Sequence, residues 1–312
     1  MKPPAAVDRA EAQGLFDRAR AARQVLNPGG LFWRRLAYAG ARYGPAPWVR
    51  YSPALFGLAF AAALPEKRAT IRDNLRRALG PRDPIAEQLA VLRTFRNYAY
   101  CLSEALGAER AEGRSGARCS GVDAEAARLL SRPGGLVVLT AHAGAWDAGA
   151  RLLARDHQRE VVVVMAKEDD PGARVLHDGV RHRAGVRVVH VGGHPTDALP
   201  LLEHLRRGAI VAIQLDRLPP GARAVSVELF GGGHQVPEGP FTLAALAGVP
   251  LLPLFVQRRG FFDYALEVGP LIELPRRPDA EVLRGAAQLA TTAMERFIRH
   301  HPTQWFHFGT GR

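Results

Sequence analysis

The sequence predicts an α/β fold: a mainly parallel central sheet flanked by helices, preceded by a helical N-terminal region. Three observations predict it. From residue 135 onward, short β-branched apolar runs alternate with helical patterns, the rhythm of strands joined by crossover helices. From 66 to 112 the apolar residues recur every three or four positions, which is helical spacing. Between these ends lies no repeat and no low-complexity linker, so one domain carries the sheet.

The elements follow in order. Residues 1–30 are expected to form a loosely held, mostly helical arm that ends at "NPGG". Residues 51–65, "YSPALFGLAFAAALP", carry no charge. A bilayer-crossing helix needs about 20 apolar residues, and this run is shorter. Arg50 precedes it, and Glu66, Lys67 and Arg68 follow. Trp33, Tyr38, Tyr43, Trp48 and Tyr51 stand upstream among arginines, which suits a segment lying in the lipid headgroup zone. A buried core helix fits the same letters. "KRATIRDNLRRALG" sets Ile71, Leu75 and Leu79 on one helical face and stops at Gly80, a cap residue. Pro84 opens a further helix, "PIAEQLAVLRTFRNYAYCLSEAL".

The sheet begins at "GLVVLT" (135–140), with a helix near 145–155. "VVVVMA" (161–166), a helix near 171–183, "VRVVHV" (186–191), a helix near 196–207 and "AIVAIQL" (209–215) continue the alternation. "AVSVELF" (224–230), "PLLPLFVQR" (250–258) and "YALEV" (264–268) add strands, and a long helix follows Pro278. The three glycines of the intervening "GGGHQVPEG" permit a tight or close-approach loop, and Glu238 stands just before a helix.

Charge narrows the partners without choosing one. The net charge is +12, and lysine stands only at Lys2, Lys67 and Lys167, so arginine supplies the excess. Such a surface attracts polyanions: nucleic acid, anionic lipid or an acidic carrier protein. No recognition-helix pattern and no aromatic-basic single-strand motif is present, which argues against nucleic acid. Cys101 and Cys119 form neither a disulfide framework nor a metal spacing. The paired histidines of "HVGGH" (190–194) and His300–His301 lack a third ligand, so no metal is expected. No serine sits in a G-x-S-x-G elbow, and no phosphate loop or dinucleotide fingerprint occurs.

One stretch carries chemistry. In "LTAHAGAWDAG" (139–149), His142 falls in the loop at the carboxyl end of a strand, where open α/β sheets bind ligands. Asp147 falls in the first turn of the next helix. A carboxylate that orients an imidazole lets the ring take a proton from a bound hydroxyl. A histidine ending a strand and an aspartate capping a helix are also common structural features, and the pair alone does not separate the two readings. Asp216 and Arg217 follow the strand of "IQLDRLPPG", where an arginine fork suits a phosphate or carboxylate, or a surface ion pair. Glu238 stands before a helix as a cap or a ligand for a polar headgroup.

Taken in order, these stretches resemble the glycerolipid acyltransferase superfamily and, within it, the bacterial lauroyl/myristoyl acyltransferases of lipid A biosynthesis. "HAGAWD" resembles the H-x4-D/E motif, and "VPEGPFTLAALAGVPLLPLF" resembles the later E-G and proline blocks. "RATIRDNLRRALG" resembles the early R…NL element, and "HPTQWFHF" the C-terminal H-P-x-Q-W segment. The likeness covers roughly residues 30–312. It implies an N-terminal membrane-associating region over 1–64 and an acyltransferase domain over 65–312. It implies His142 as general base with Asp147 as its orienting acid. Arg217 and Glu238 would hold the acceptor, Gly239 and Pro253 would shape the site, and Gln214, Asp216 and Phe230 fall in matching neighbourhoods. Phe241, Leu243 and residues 51–64 are expected to help line an acyl groove. An acyl carrier protein or coenzyme A thioester would be the donor, without a cofactor. A lipid A precursor or related glycolipid would be the acceptor, at the cytoplasmic face of the inner membrane. The alternatives are a lysophospholipid or other lipid O-acyltransferase, and a non-catalytic basic protein binding membrane or nucleic acid. Many relatives carry Glu at the position of Asp147 and a clear spanning helix near the N-terminus.

Overall fold

The computed structural model describes residues 31–108, 118–120, 124–166, 170–192 and 195–309. The expected arm over 1–30 and His194 lie outside them. Four helices lead: α1 (Leu31–Tyr43), α2 (Ala46–Ala63), α3 (Pro65–Leu79) and α4 (Pro84–Leu106). Asp83 caps α4, accepting from the amides of Ile85 and Ala86 at 2.9 and 3.1 Å. Gly80 ends α3 at φ +77°, a conformation that other residues adopt only under strain.

Alternating elements then build the sheet: β1 (Arg118–Ser120), α5 (Ala124–Leu130), β2 (Leu136–Thr140), α6 (Trp146–His157), β3 (Val161–Ala166), α7 (Pro171–Arg183), β4 (Val186–Val191), α8 (Leu199–Arg206) and β5 (Ile210–Gln214). After them come β6 (Ala224–Leu229), β7 (Gly232–Pro237), α9 (Gly239–Ala247), β8 (Leu251–Gly260), β9 (Asp263–Val268) and α10 (Ala280–His300). The seven-stranded sheet runs β1-β9-β8-β2-β5-β3-β4. Its pairs are parallel except β8 with β9.

Both faces of the sheet are covered, which is why β2 and β5 read as unbroken apolar runs. One face packs on α8, α9 and α10, where Phe255 and Phe297 stack at 5.2 Å. Burying a phenyl ring of this kind contributes about 1.5–3 kcal/mol. The other face packs on α6, through Leu152 and Leu153.

One strand was not expected: Gly232–Pro237 forms β7, antiparallel to β6, in a separate two-stranded sheet. Phe230 and Gly231, both at positive φ, make the tight turn between them. Phe241 and Leu243 do not line a groove; they are buried in the core between α9 and the sheet. Residues 51–64 are packed on one side and exposed on the other. In α2, Gly57 presses against the backbone of Phe95 and Arg96 in α4, while Trp48, Tyr51, Leu55 and Leu58 form an exposed stripe. No helix among the described residues is long and apolar enough to cross a membrane.

Candidate active site

β2 and β5 pair in parallel with Thr140 opposite Gln214. The ladder continues one step further, the amide of Leu215 donating to the Thr140 carbonyl at 2.8 Å. Both strands therefore end at one level, and the residues two positions beyond, His142 and Asp216, meet. Asp216 Oδ1 accepts from the His142 amide at 2.9 Å and lies 2.8 Å from His142 Nδ1. The Asp216 side chain is fully buried, whereas that of His142 is 25% exposed. With Nδ1 donating to the carboxylate, Nε2 keeps the lone pair and is the basic nitrogen. Burial, the largest influence on Asp216, opposes its charge. The His142 imidazole, the two hydrogen bonds and Arg217 together outweigh it and hold the carboxyl below the usual carboxylate range.

The expected His142–Asp147 pairing is not made. Asp147 does sit in the first turn of α6, but its side chain is turned to Arg181 of α7, which donates from Nε and Nη2 at 2.8 and 3.1 Å. The Arg181 guanidinium lies over the Trp146 ring, 5.4 Å from its centroid, and the Trp146 ring packs edge-on to His142. Asp147 thus supports a wall beside the imidazole. The position beside the imidazole that it was expected to fill is occupied by Asp216, expected only to fall in the neighbourhood of the substrate-binding residues.

The His142 loop is tied from the far end of the chain. The Phe306 amide donates to the His142 carbonyl at 2.8 Å, and the Gly144 amide donates to the Gln304 carbonyl at 2.7 Å. The Gln304 side chain accepts from the Arg258 amide and donates to the Arg258 carbonyl. Asn74 of α3 donates to the His307 carbonyl at 2.8 Å, and Asn97 of α4 to Thr303. Gly144 has φ +58°, and a Cβ there would strike the Val256 carbonyl oxygen, so the loop needs glycine.

A narrow apolar cleft runs between α6 and the sheet. Thr140 and Gln214 line it at the strand ends; Val138 and Ala212 lie one pleat deeper, followed by Val163 and Leu254. Gly149, Ala150 and Leu153 of α6 close the other side, together with Trp146. Gln214 Nε2 is buried and has no hydrogen-bond partner.

Arg217 adjoins the dyad without hydrogen-bonding to it, and the partners of Glu238 lie elsewhere. Arg217 is exposed and donates to the Phe306 carbonyl at 2.9 Å. Glu238 precedes α9; its side chain takes the Thr242 hydroxyl and lies 3.6 Å from Arg223. Gly239 opens α9, and Pro253 lies within β8 opposite Leu139. His190 pairs with Asp178, and His301 with Glu267. Among the described residues no group of three or more His, Cys, Asp or Glu is placed to hold a metal ion. Asn74, Gln304 and His307 went unread as site residues, although each lies inside a stretch quoted for its resemblance.

A family model described as bacterial lipid A biosynthesis acyltransferase matches residues 28–310. No curated protein sequence matches the chain.

Proposed function

From the premise that the chain belongs to the bacterial lipid A biosynthesis acyltransferase family, we propose that it moves a fatty acyl group from a carrier-protein or coenzyme A thioester to a hydroxyl of a lipid A precursor or related glycolipid. The observation that carries this reading is the His142–Asp216 pair beside the cleft lined by Val138, Ala150 and Ala212. The acceptor hydroxyl binds beside His142 Nε2. The imidazole takes its proton as the oxygen attacks the thioester carbonyl, and Asp216 stabilises the imidazolium that forms. The tetrahedral intermediate then breaks its C–S bond, and the departing thiolate takes the proton from the imidazolium. The oxyanion falls near the N-terminal turn of α6, whose first amides have no intrahelical acceptor and whose dipole favours negative charge.

The acyl chain enters at the cleft, whose volume of about 20 Å³ has to widen between α6 and the sheet to admit it; Phe241, Leu243 and residues 51–64 are not among its lining residues. The stripe of Trp48, Tyr51, Leu55 and Leu58 on α2 rests in the headgroup zone of an anionic membrane. Residues 31–65 include Arg34, Arg35, Arg42 and Arg50 and no acidic residue, the charge pattern that such a surface requires. Arg217, exposed beside the dyad, meets an anionic group of the acceptor.

The test is a transfer assay with purified protein, an acyl thioester and a lipid A precursor, read by mass spectrometry of the lipid product. Acylated product is expected, and His142→Ala should lower its rate by about 10²–10⁴-fold. Absence of product with every thioester, or an unreduced rate in the variant, contradicts the proposal.

A further inference from the structure

The carboxylate of Asp216 faces a second imidazole. Its Oδ1 accepts both hydrogen bonds from His142, while Oδ2 is buried and has no hydrogen-bond partner. Across from it, 3.9 Å away, lies Nδ1 of His307, also buried and also without a partner. A buried carboxylate oxygen left unpaired costs the desolvation of a charge, and the native fold rarely leaves one so. The terminal torsion of an aspartate is broad, so contacts to one oxygen leave the plane of the carboxylate weakly defined. The only tautomer of a neutral His307 that avoids two lone pairs facing each other carries its proton on Nδ1.

We propose that His307 is a positioning residue for the dyad: its Nδ1–H donates to Asp216 Oδ2 and fixes the carboxylate so that Oδ1 stays on His142. This rests on the roles given above to His142 and Asp216. The 3.9 Å separation closes to hydrogen-bond length as substrate fills the site, since catalytic hydrogen bonds in empty sites are commonly long. His307 is well placed to hold still. Asn74 grips its carbonyl, and its ring packs against Trp305 at 5.3 Å with the planes 85° apart.

The charge state of the second imidazole matters. Burial pushes its pKa down to about 4, against the raising influence of Asp216; Arg217, His142 and His234 also face it and lower it further. Near neutral pH the ring is therefore uncharged. A neutral donor orients Asp216 without cancelling its charge, so the full anionic field remains for the imidazolium at His142. A lysine or arginine in its place would compete with His142 for the carboxylate.

The first measurement needs neither substrate nor turnover: long-range proton–nitrogen correlation NMR of the whole protein labelled with ¹⁵N-histidine, at neutral pH. His307, assigned by its loss in His307→Asn, should show the Nδ1–H tautomer. An Nε2–H tautomer overturns the proposal. The second is the transfer assay with two variants whose folding is checked by thermal melting. His307→Phe removes the donor and should lower kcat about 10- to 100-fold, the scale of one hydrogen bond to a charged group, with KM nearly unchanged. His307→Asn places an amide N–H near the Nδ1 position and should recover most of that loss. Full activity in His307→Phe, or equal losses in both variants, overturns the positioning role. Should the wild-type protein transfer no acyl group at all, the reading of the reaction fails, and the tautomer spectrum still decides whether His307 donates to Asp216.

Discussion

His142 and Asp216 lie 74 residues apart in the chain and 2.8 Å apart in space. The contact follows from strand register. Thr140 pairs with Gln214 in parallel strands, so an offset of 74 carries each residue of β2 onto its partner in β5 and, beyond the strand ends, His142 onto Asp216. The nearer carboxylate in sequence, Asp147, is held by Arg181 instead. The two carboxylates therefore act on the same imidazole from different distances. Asp216 holds it directly, and Asp147 steadies Arg181 and the Trp146 wall.

Asp147→Asn should therefore act first on stability. The Arg181 side chain is 11% exposed and donates twice to this carboxylate. Losing the charge leaves a largely buried guanidinium poorly paired, at about 1.5–3 kcal/mol. Chemical denaturation of the variant should show a lower midpoint with an unchanged m-value. Wild-type stability would mean that the ion pair is not maintained in solution.

Gly144→Ala should damage both the loop and the fold. Its φ of +58° is strained for alanine, and the added methyl meets the Val256 carbonyl. A cost of at least about 1–3 kcal/mol is expected in thermal or denaturant unfolding. Activity should fall with it, because the Gly144 amide anchors the loop to Gln304.

Acid should weaken the fold through His307. Burial lowers its pKa from the ordinary histidine value to about 4 in the folded chain. Between about pH 6.5 and pH 4 the unfolded chain therefore binds a proton that the folded one refuses, and stability falls as pH falls. Asp216, with its pKa lowered, loses its stabilising contribution only at more acid pH and does not confound this window. Glu104, with its pKa raised by burial, acts in the opposite sense as pH rises. Comparing denaturation midpoints at pH 7 and pH 5 isolates the histidine: His307→Asn should lose on the order of 1–2 kcal/mol less than wild type across that interval. Equal pH slopes would contradict the assignment.

The α2 stripe predicts membrane affinity that depends on both charge and apolar area. Leu55 is 70% exposed on that stripe. Leu55→Ala should weaken sedimentation with anionic phospholipid vesicles by roughly tenfold, the scale of one leucine side chain leaving an apolar phase. Replacing Arg35 and Arg50 with glutamine should weaken binding to anionic vesicles more than to neutral ones. Unchanged partitioning in all variants would remove α2 from the interface.

The sheet was legible because β2, β3 and β5 are buried on both sides and so are spelled as continuous β-branched runs. His142 was legible because it follows such a run at the carboxyl end of a strand. Its true partner was harder to read, since Asp216 meets it only through the register of β2 against β5, and β5 had to be known as the neighbour of β2. Sequence proximity favoured Asp147. β7 was hidden because Gly232 and Gly233 give no apolar alternation, and its pairing partner β6 supplies the order. β1 and α5 are too short to show a period. His307 was hidden because its role is a contact across the fold, made when residues 304–308 cross the His142 loop.

In the proposed mechanism Asp216, not Asp147, is the carboxylate that makes His142 a base. The most direct measurement compares acyl transfer from a thioester to a lipid A precursor by Asp216→Asn and Asp147→Asn protein, with both confirmed folded. A kcat loss of about 10³–10⁴-fold is expected for Asp216→Asn and a far smaller one for Asp147→Asn. The reverse order, or an Asp216→Asn protein as fast as wild type, would contradict it.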